Sequence, residues 1–346
     1  MHNQTQANRI EFLDRLRGVA ICMVVAIHAA EYADISGQTK AFLLSCFGIA
    51  VPSFFMVDGY LFCASFKSRK FDYGVYLKKS CVRLLIPWVV FTVIYVGFRA
   101  ALEYFNVLPV RVIVGRPVEK LAMSIYMSSI SSQMYFLLSL FLIRAWTPVL
   151  RYLLLVPTYS VPFIFVAYAL AWNEFSGLRL FSASDAECLG GCFEPVTHAL
   201  WGLQYYLFGA CLFLCGEQVE RRYRAVLICS LLMYGFTKSV HISLGWSEQY
   251  LGLLILWSMM RVVSSSDRWI AQIGKATMGI YILHMPIVLK AVGLLVTALL
   301  AQGNALMNYL FITILTLVAS ALLTRVITSV RLGRAILGEG YAKTGT

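Results

Sequence analysis

The chain has 346 residues, of which 60% are hydrophobic and only 13% charged, with a mean hydropathy of +0.74. A soluble domain is about half apolar and about a quarter charged, so this composition excludes a soluble sensor, nuclease or metalloenzyme and marks an integral membrane protein. The net charge of +12 fits anionic lipid headgroups; no basic run carries the interleaved aromatics of a nucleic-acid surface, and no nucleic-acid partner is expected.

The first apolar stretch opens with Arg9, Glu11, Asp14, Arg15 and Arg17 and then runs as unbroken hydrocarbon to His28. Acidic residues in its charged head argue against a cleaved signal, so it reads as a retained anchor. Arg17 and His28 are eleven residues apart. That is three helical turns, which places both on one face and roughly 16 Å apart along the axis. Ionisable groups at such depth are costly and face a protein interior or a watery cavity.

About ten stretches approach the ~17–25 residues of a bilayer crossing. They run over Leu16–Tyr32, Ala41–Ala64, Cys81–Leu102, Met134–Leu155, Val161–Trp172, Ala199–Gly216, Ala225–His241, Tyr250–Val263, Thr277–Leu299 and Ala305–Val326. With the N-terminus in the cytoplasm, the Lys and Arg groups fall inside at nearly every loop. Outside fall Glu31 and Asp34, a mixed Arg99–Lys120 loop, and the acidic loop carrying Glu174, Asp185, Glu187 and Glu194. That alternation follows the positive-inside rule and places both termini in the cytoplasm. The expected fold is therefore an all-α polytopic membrane helix bundle forming one domain over residues 1–346. No internal repeat is apparent, which counts against a transporter built from matched halves.

Asp58, in the second span, lies at a depth comparable to Arg17. An ion pair between them lowers the cost of both, and is preferred to Asp58 as a catalytic base because a neighbouring Arg keeps a carboxylate ionised. Lys79 and Arg83 are four residues apart on one helix face at the cytoplasmic surface. Such cations hold phosphate oxygens well, although taken alone they read rather as topogenic charge with snorkelling stems. Late in the chain, Tyr281-Ile-Leu-His284-Met-Pro286 places His284 at a depth similar to His28, which points to a shared polar cavity. His198 and His241 fall at outer helix ends and read as interfacial. Most of the nine cysteines lie in apolar spans as small hydrophobes, and no spacing suggests a metal. Cys188 and Cys192 sit in a polar, Gly-rich loop where a disulfide is possible if the compartment is oxidising.

These residues carry a resemblance. The opening Leu13-Asp14-x-Leu16-Arg17-Gly18-x-Ala20-Ile21 with His28, then Phe54-Phe55-x-x-x-Gly59-Tyr60-Leu61, Arg83-x-x-x-Pro87, Tyr135-Phe136-Leu137 and Tyr281-x-x-His284-x-Pro286 follow one another in order. The chain resembles the integral-membrane acyltransferases of the acyltransferase-3 family, which includes many bacterial polysaccharide O-acetyltransferases. It departs from the family pattern at Asp58, where Ser is usual, and at Tyr135, where Trp is common.

The resemblance implies transfer of an acyl group, most often acetyl, from cytoplasmic acyl-CoA to a hydroxyl of an envelope saccharide, in the bacterial inner membrane. The residues fit those roles: Lys79 and Arg83 for the coenzyme phosphates, Arg17 for the pantetheine or thioester, and a neutral His28 as general base. His284 is a further catalytic candidate, while Asp14, Asp58 and Tyr281 are structural or substrate-tuning. The donor is acetyl-CoA or another acyl-CoA, no metal is expected, and the Gly177–Pro195 loop is the candidate for acceptor binding. The rival from another class is a proton-coupled secondary transporter, which buried His and Asp also suit.

Overall fold

Hydrocarbon solvates no backbone polar group, so a chain of this composition must satisfy its peptide groups within helices or a closed barrel. In the computed structural model every regular element among the described residues is helical. The structure describes residues 2–33, 35–68, 71–106, 113–115, 132–155, 160–177, 191–240, 245, 247–263, 268–300 and 304–338.

In chain order the helices are α1 (His2–Ala29), α2 (Gly37–Phe47), α3 (Ala50–Ser68), α4 (Tyr73–Ser80), α5 (Ile86–Tyr104), α6 (Tyr135–Ala145) and α7 (Thr147–Leu155). There follow α8 (Ser160–Gly177), α9 (Gly191–Leu214), α10 (Gly216–Arg221), α11 (Tyr223–Ser239) and α12 (Ser247–Val262). The last are α13 (Arg268–Lys275), α14 (Thr277–Leu283), α15 (Leu289–Leu299), α16 (Ala305–Ser329) and α17 (Arg331–Ile336). A π-helical turn, Cys81–Leu85, joins α4 to α5, and another, His284–Val288, joins α14 to α15.

Among the described residues four helical stretches are long and apolar enough to cross a membrane: Gly37–Ser65, Tyr73–Tyr104, Thr277–Leu299 and Ala305–Ser329. Several of the other expected crossings differ in form. At 17 and 16 residues, α11 and α12 are shorter than the ~20 residues that span hydrocarbon directly. The expected Met134–Leu155 span breaks at Trp146, where the Thr147 hydroxyl donates to the Arg144 carbonyl. The Val161–Trp172 stretch, bounded by prolines, lies inside the longer α8. Arg99 and Glu103, expected in a loop, are helical, with Arg99 Nε 2.9 Å from a fully buried Glu103. The same carboxylate accepts from the Ile113 and Val114 amides, at 2.8 and 2.9 Å, so it is satisfied although buried.

The chain divides into two compact units, one of Met1–Ser68 and Tyr205–Thr324, the other of Arg69–Gln204 and Arg325–Thr346. In the first, α1 is the hub, touching α2, α3, α12, α13, α14 and α15. Its crossing with α13 is made by glycines. A Cβ on Gly18 would overlap the Ile270 carbonyl, and one on Gly274 would overlap the Asp14 carbonyl. Small residues let helix backbones approach where no hydrophobic force separates inside from outside. The long α16 shows the same logic inverted. Its inward residues include Thr316, Ser320 and Thr324, while Leu310, Phe311, Ile314, Val318 and Leu322 point outward and are exposed. A polar inner and apolar outer stripe is what a lipid-facing helix requires.

In the second unit, α4 and α6 are tied by Tyr73 Oη, which donates to the Ala145 carbonyl at 2.9 Å, and by Arg144 over the Tyr76 ring at 5.9 Å. Tyr168 Oη on α8 donates to the Leu200 carbonyl on α9 at 2.9 Å.

Candidate functional site

The site begins with α1, because one helix carries Asp14, Arg17 and His28 along its length. At one end Arg17 Nη1 lies 3.4 Å from Asp14 Oδ1, a pairing three residues apart that holds the guanidinium against its own helix. Asp14 is buried by the α13 crossing, and Arg17 keeps 22% of its side chain exposed. Asp58, on α3, is also buried.

The same end of α1 holds two further cations. Arg15 is buried, donates to the Met260 carbonyl at 3.5 Å and sits 3.7 Å from Glu11. Arg261 lies over the Phe12 ring at 3.9 Å and the Trp257 ring at 5.1 Å. Phe12 on α1 and Arg261 on α12 are far apart in sequence, so no local spacing signals this contact.

At the other end, the His28 and His284 rings stand 5.5 Å apart between centroids, tilted by 43°. The expectation that two imidazoles of similar depth share one place matches this geometry. His284 is fully buried, while His28 keeps 22% of its side chain exposed. Tyr281 is buried one turn before His284, with ring centroids 5.9 Å apart. Ala26, Ala29, Ala30, Leu289, Val296 and Ile312 belong to one buried apolar cluster, in which Ala29 and Ala30 directly follow His28 in sequence.

The position of His284 follows from Pro286. Proline supplies no N–H to the carbonyl four residues back, here that of Ile282, and it pushes the preceding residue out of helical geometry. Met285 accordingly has φ −119° and ψ 152°. The α14 helix therefore ends at Leu283, and His284 sits in the π-helical turn, a conformation common at functional sites. Its ring Nδ1 lies 2.7 Å from the Tyr281 carbonyl and 3.1 Å from that of Ile280. Carbonyls only accept, so Nδ1 carries the hydrogen and donates.

Glu31 was read from sequence only as an outer charge. Its Oε1 lies 3.7 Å from His28 Nδ1. The spacing of three residues was the available signal, because such pairs meet on one helix face.

Lys79 and Arg83 lie in the second unit, and both are exposed. The straight helix expected for them is interrupted: Lys79 is on α4 and Arg83 in the π-helical turn. Here too a proline follows, since the absent N–H of Pro87 would have bonded the Arg83 carbonyl. The His198 ring lies beside that of Tyr135, with centroids 4.5 Å apart. His241, Cys188 and most of the Gly177–Pro195 loop lie outside the described residues. Among the described residues no group of three or more His, Cys, Asp or Glu is placed to hold a metal.

A family model described as an acyltransferase domain, that of the acyltransferase-3 family, matches residues 10–325. No curated protein and no solved structure matches the chain.

Proposed function

The chain belongs to the acyltransferase-3 family, and from that premise we propose that it is an integral-membrane O-acyltransferase. In this reading it moves an acyl group, acetyl in the simplest case, from cytoplasmic acyl-CoA to a hydroxyl of an envelope saccharide or glycolipid. The fold is a bundle of about ten crossings in a bacterial inner membrane with both termini cytoplasmic, as charge alternation favours.

The observation that carries the reading is the pairing of His284 with His28, on the helix whose other end holds Arg17. His28, the more exposed ring, takes the proton of the acceptor hydroxyl as its oxygen attacks the thioester carbonyl carbon. The carbon–sulfur bond breaks, and the coenzyme thiolate leaves and receives that proton. General-base help of this kind contributes about 10²–10⁴-fold. Arg17, steadied by Asp14 and in our reading also by Asp58, directs its guanidinium at the pantetheine or thioester oxygen. Lys79 and Arg83 supply charge to the coenzyme phosphates. Tyr281 shapes the wall beside His284, and the Gly177–Pro195 loop meets the acceptor.

The test uses membranes carrying the wild-type chain or His28→Ala at matched expression, given acetyl-CoA labelled on the acetyl group. Label in extracted envelope glycans with the wild type and not with the variant is expected. Equal label from both overturns the role of His28. No label from either, across a range of acyl donors, favours the proton-coupled transporter.

A further inference from the structure

The chain leaves α1 through a tight turn. The Glu31 amide donates to the His28 carbonyl at 3.1 Å, and the Tyr32 amide to the Ala29 carbonyl at 3.1 Å. Bonds between residues three apart are those of a 3₁₀ turn, in which such residues eclipse, so Glu31 is carried back over His28. Its Oε1 lies 3.7 Å from His28 Nδ1. That nitrogen is buried and has no hydrogen-bond partner among the described residues. A bridging water, about 2.8 Å from each atom, would hold the two further apart, so the contact closes only by their approach to one another. An ionised carboxylate accepts and never donates, so the nitrogen that meets it carries the ring hydrogen. In the neutral ring Nε2 is then the base. With Nδ1 buried, Nε2 is also the nitrogen left for an incoming hydroxyl.

We infer that Glu31 is the carboxylate that positions His28 for proton transfer. It holds the Nδ1 hydrogen, leaves Nε2 for the acceptor hydroxyl, and stabilises the imidazolium that forms. This deepens the proposed function and rests on it. The acceptor hydroxyl gives its proton to Nε2 as its oxygen bonds to the thioester carbonyl carbon. The carbon–sulfur bond breaks, and the departing thiolate takes that proton back from Nε2. Glu31 stays ionised throughout and exchanges no proton. Catalytic contacts are often long in a resting site and tighten in the reacting complex. Glu31 keeps 52% of its side chain exposed, so water solvates its charge before reaction. An interaction strengthened only as the imidazolium forms lowers the barrier without tightening substrate binding, so its loss appears in kcat and not in KM. Glu31 is thus a positioning residue that acts through His28.

Two substitutions separate charge from shape. Glu31→Gln keeps the side-chain length and an acceptor oxygen but removes the charge, whereas Glu31→Asp keeps the charge on a shorter stem. With labelled acetyl-CoA and membranes as the acceptor source, Glu31→Gln is expected to lower kcat about 10–100-fold, the worth of a hydrogen bond to a charged group, with KM for acetyl-CoA within about twofold. Glu31→Asp is expected to keep a kcat at least about threefold above that of Glu31→Gln, because a charge still attracts the imidazolium from slightly further away. The main-chain bond from residue 31 to the His28 carbonyl survives both substitutions, and thermal unfolding in detergent checks the fold of each. Glu31→Ala, held to at least the same fall in kcat, takes the place of a Glu31→Gln that does not fold. If Glu31→Asp does not fold, the kcat and KM of Glu31→Gln decide alone.

Wild-type kcat in Glu31→Gln, a folded Glu31→Asp no faster than Glu31→Gln, or a rise in KM with kcat unchanged each overturns the inference while leaving acyl transfer standing. Absence of label with the wild type itself overturns the proposed function, and this inference with it.

Discussion

The chain presents two candidate regions built on the same backbone device, a π-helical turn beside a proline, yet opposite in environment. In the first unit the turn holds His284, fully buried against His28. In the second it holds Arg83, exposed near an exposed Lys79. The same local geometry therefore serves a site where few polar groups are held in place and one where cations are exposed. Buried groups act through geometry, and removing one has a large, specific effect. Exposed cations act through long-range charge that salt screens and neighbours replace.

His28→Ala tests the buried side most severely. It is expected to cut labelled acyl transfer by about 10²–10⁴-fold with the protein still folded, and a residual rate above one tenth would remove the contrast between the regions. Next comes the helix crossing that positions α1. Gly274→Leu drives a side chain into the Asp14 carbonyl and is expected to destabilise the protein by about 1–3 kcal/mol or more, measured as a lowered thermal midpoint in detergent. An unchanged midpoint would mean that α1 and α13 have freedom to separate.

On the exposed side, Lys79→Ala combined with Arg83→Ala is expected to raise KM for acetyl-CoA by about tenfold with kcat little changed. The wild-type advantage should shrink as salt is added, because exposed charge is screened over about 10 Å at 0.1 M salt. A fall in kcat that ignores salt would place these cations at the chemistry and erase the distinction. The smallest effect is expected at Lys238, whose Nζ lies 2.8 Å from Glu248 Oε2 with 47% of its side chain exposed. Lys238→Met should change stability by less than about 1 kcal/mol in thermal unfolding, as exposed ion pairs do.

Several readings were legible because they depend on local pattern. The acyltransferase family was readable from Arg17, His28, Arg83 and the His284 segment in order, and the family match over residues 10–325 agrees. The all-helical membrane fold followed from composition, since hydrocarbon leaves a chain few ways to satisfy its backbone. Depth arithmetic placed His28 and His284 at one level, and the rings are neighbours. Other features were not legible. The break at Trp146 interrupts a stretch that reads as continuous, because turn formation there uses a side-chain bond from Thr147 to the backbone. Arg15 and Arg261 read as loop charges because their partners, Met260, Phe12 and Trp257, come together only by folding.

By itself, then, the sequence determined that this chain is helical and apolar, and which ionisable residues lie deep enough in it to be costly. Periodicity and transfer energy are local quantities that any segment carries with it. Only the tertiary structure decided what those residues do to one another. Proline at 286 ends α14 one residue before His284 and directs its Nδ1 to backbone carbonyls. The meeting of α1 with the turn then brings its ring to 5.5 Å from that of His28, centroid to centroid. Which nitrogen of His284 holds the hydrogen is set by carbonyls three and four residues back, whereas the two rings belong to distant parts of the chain that only packing brings together.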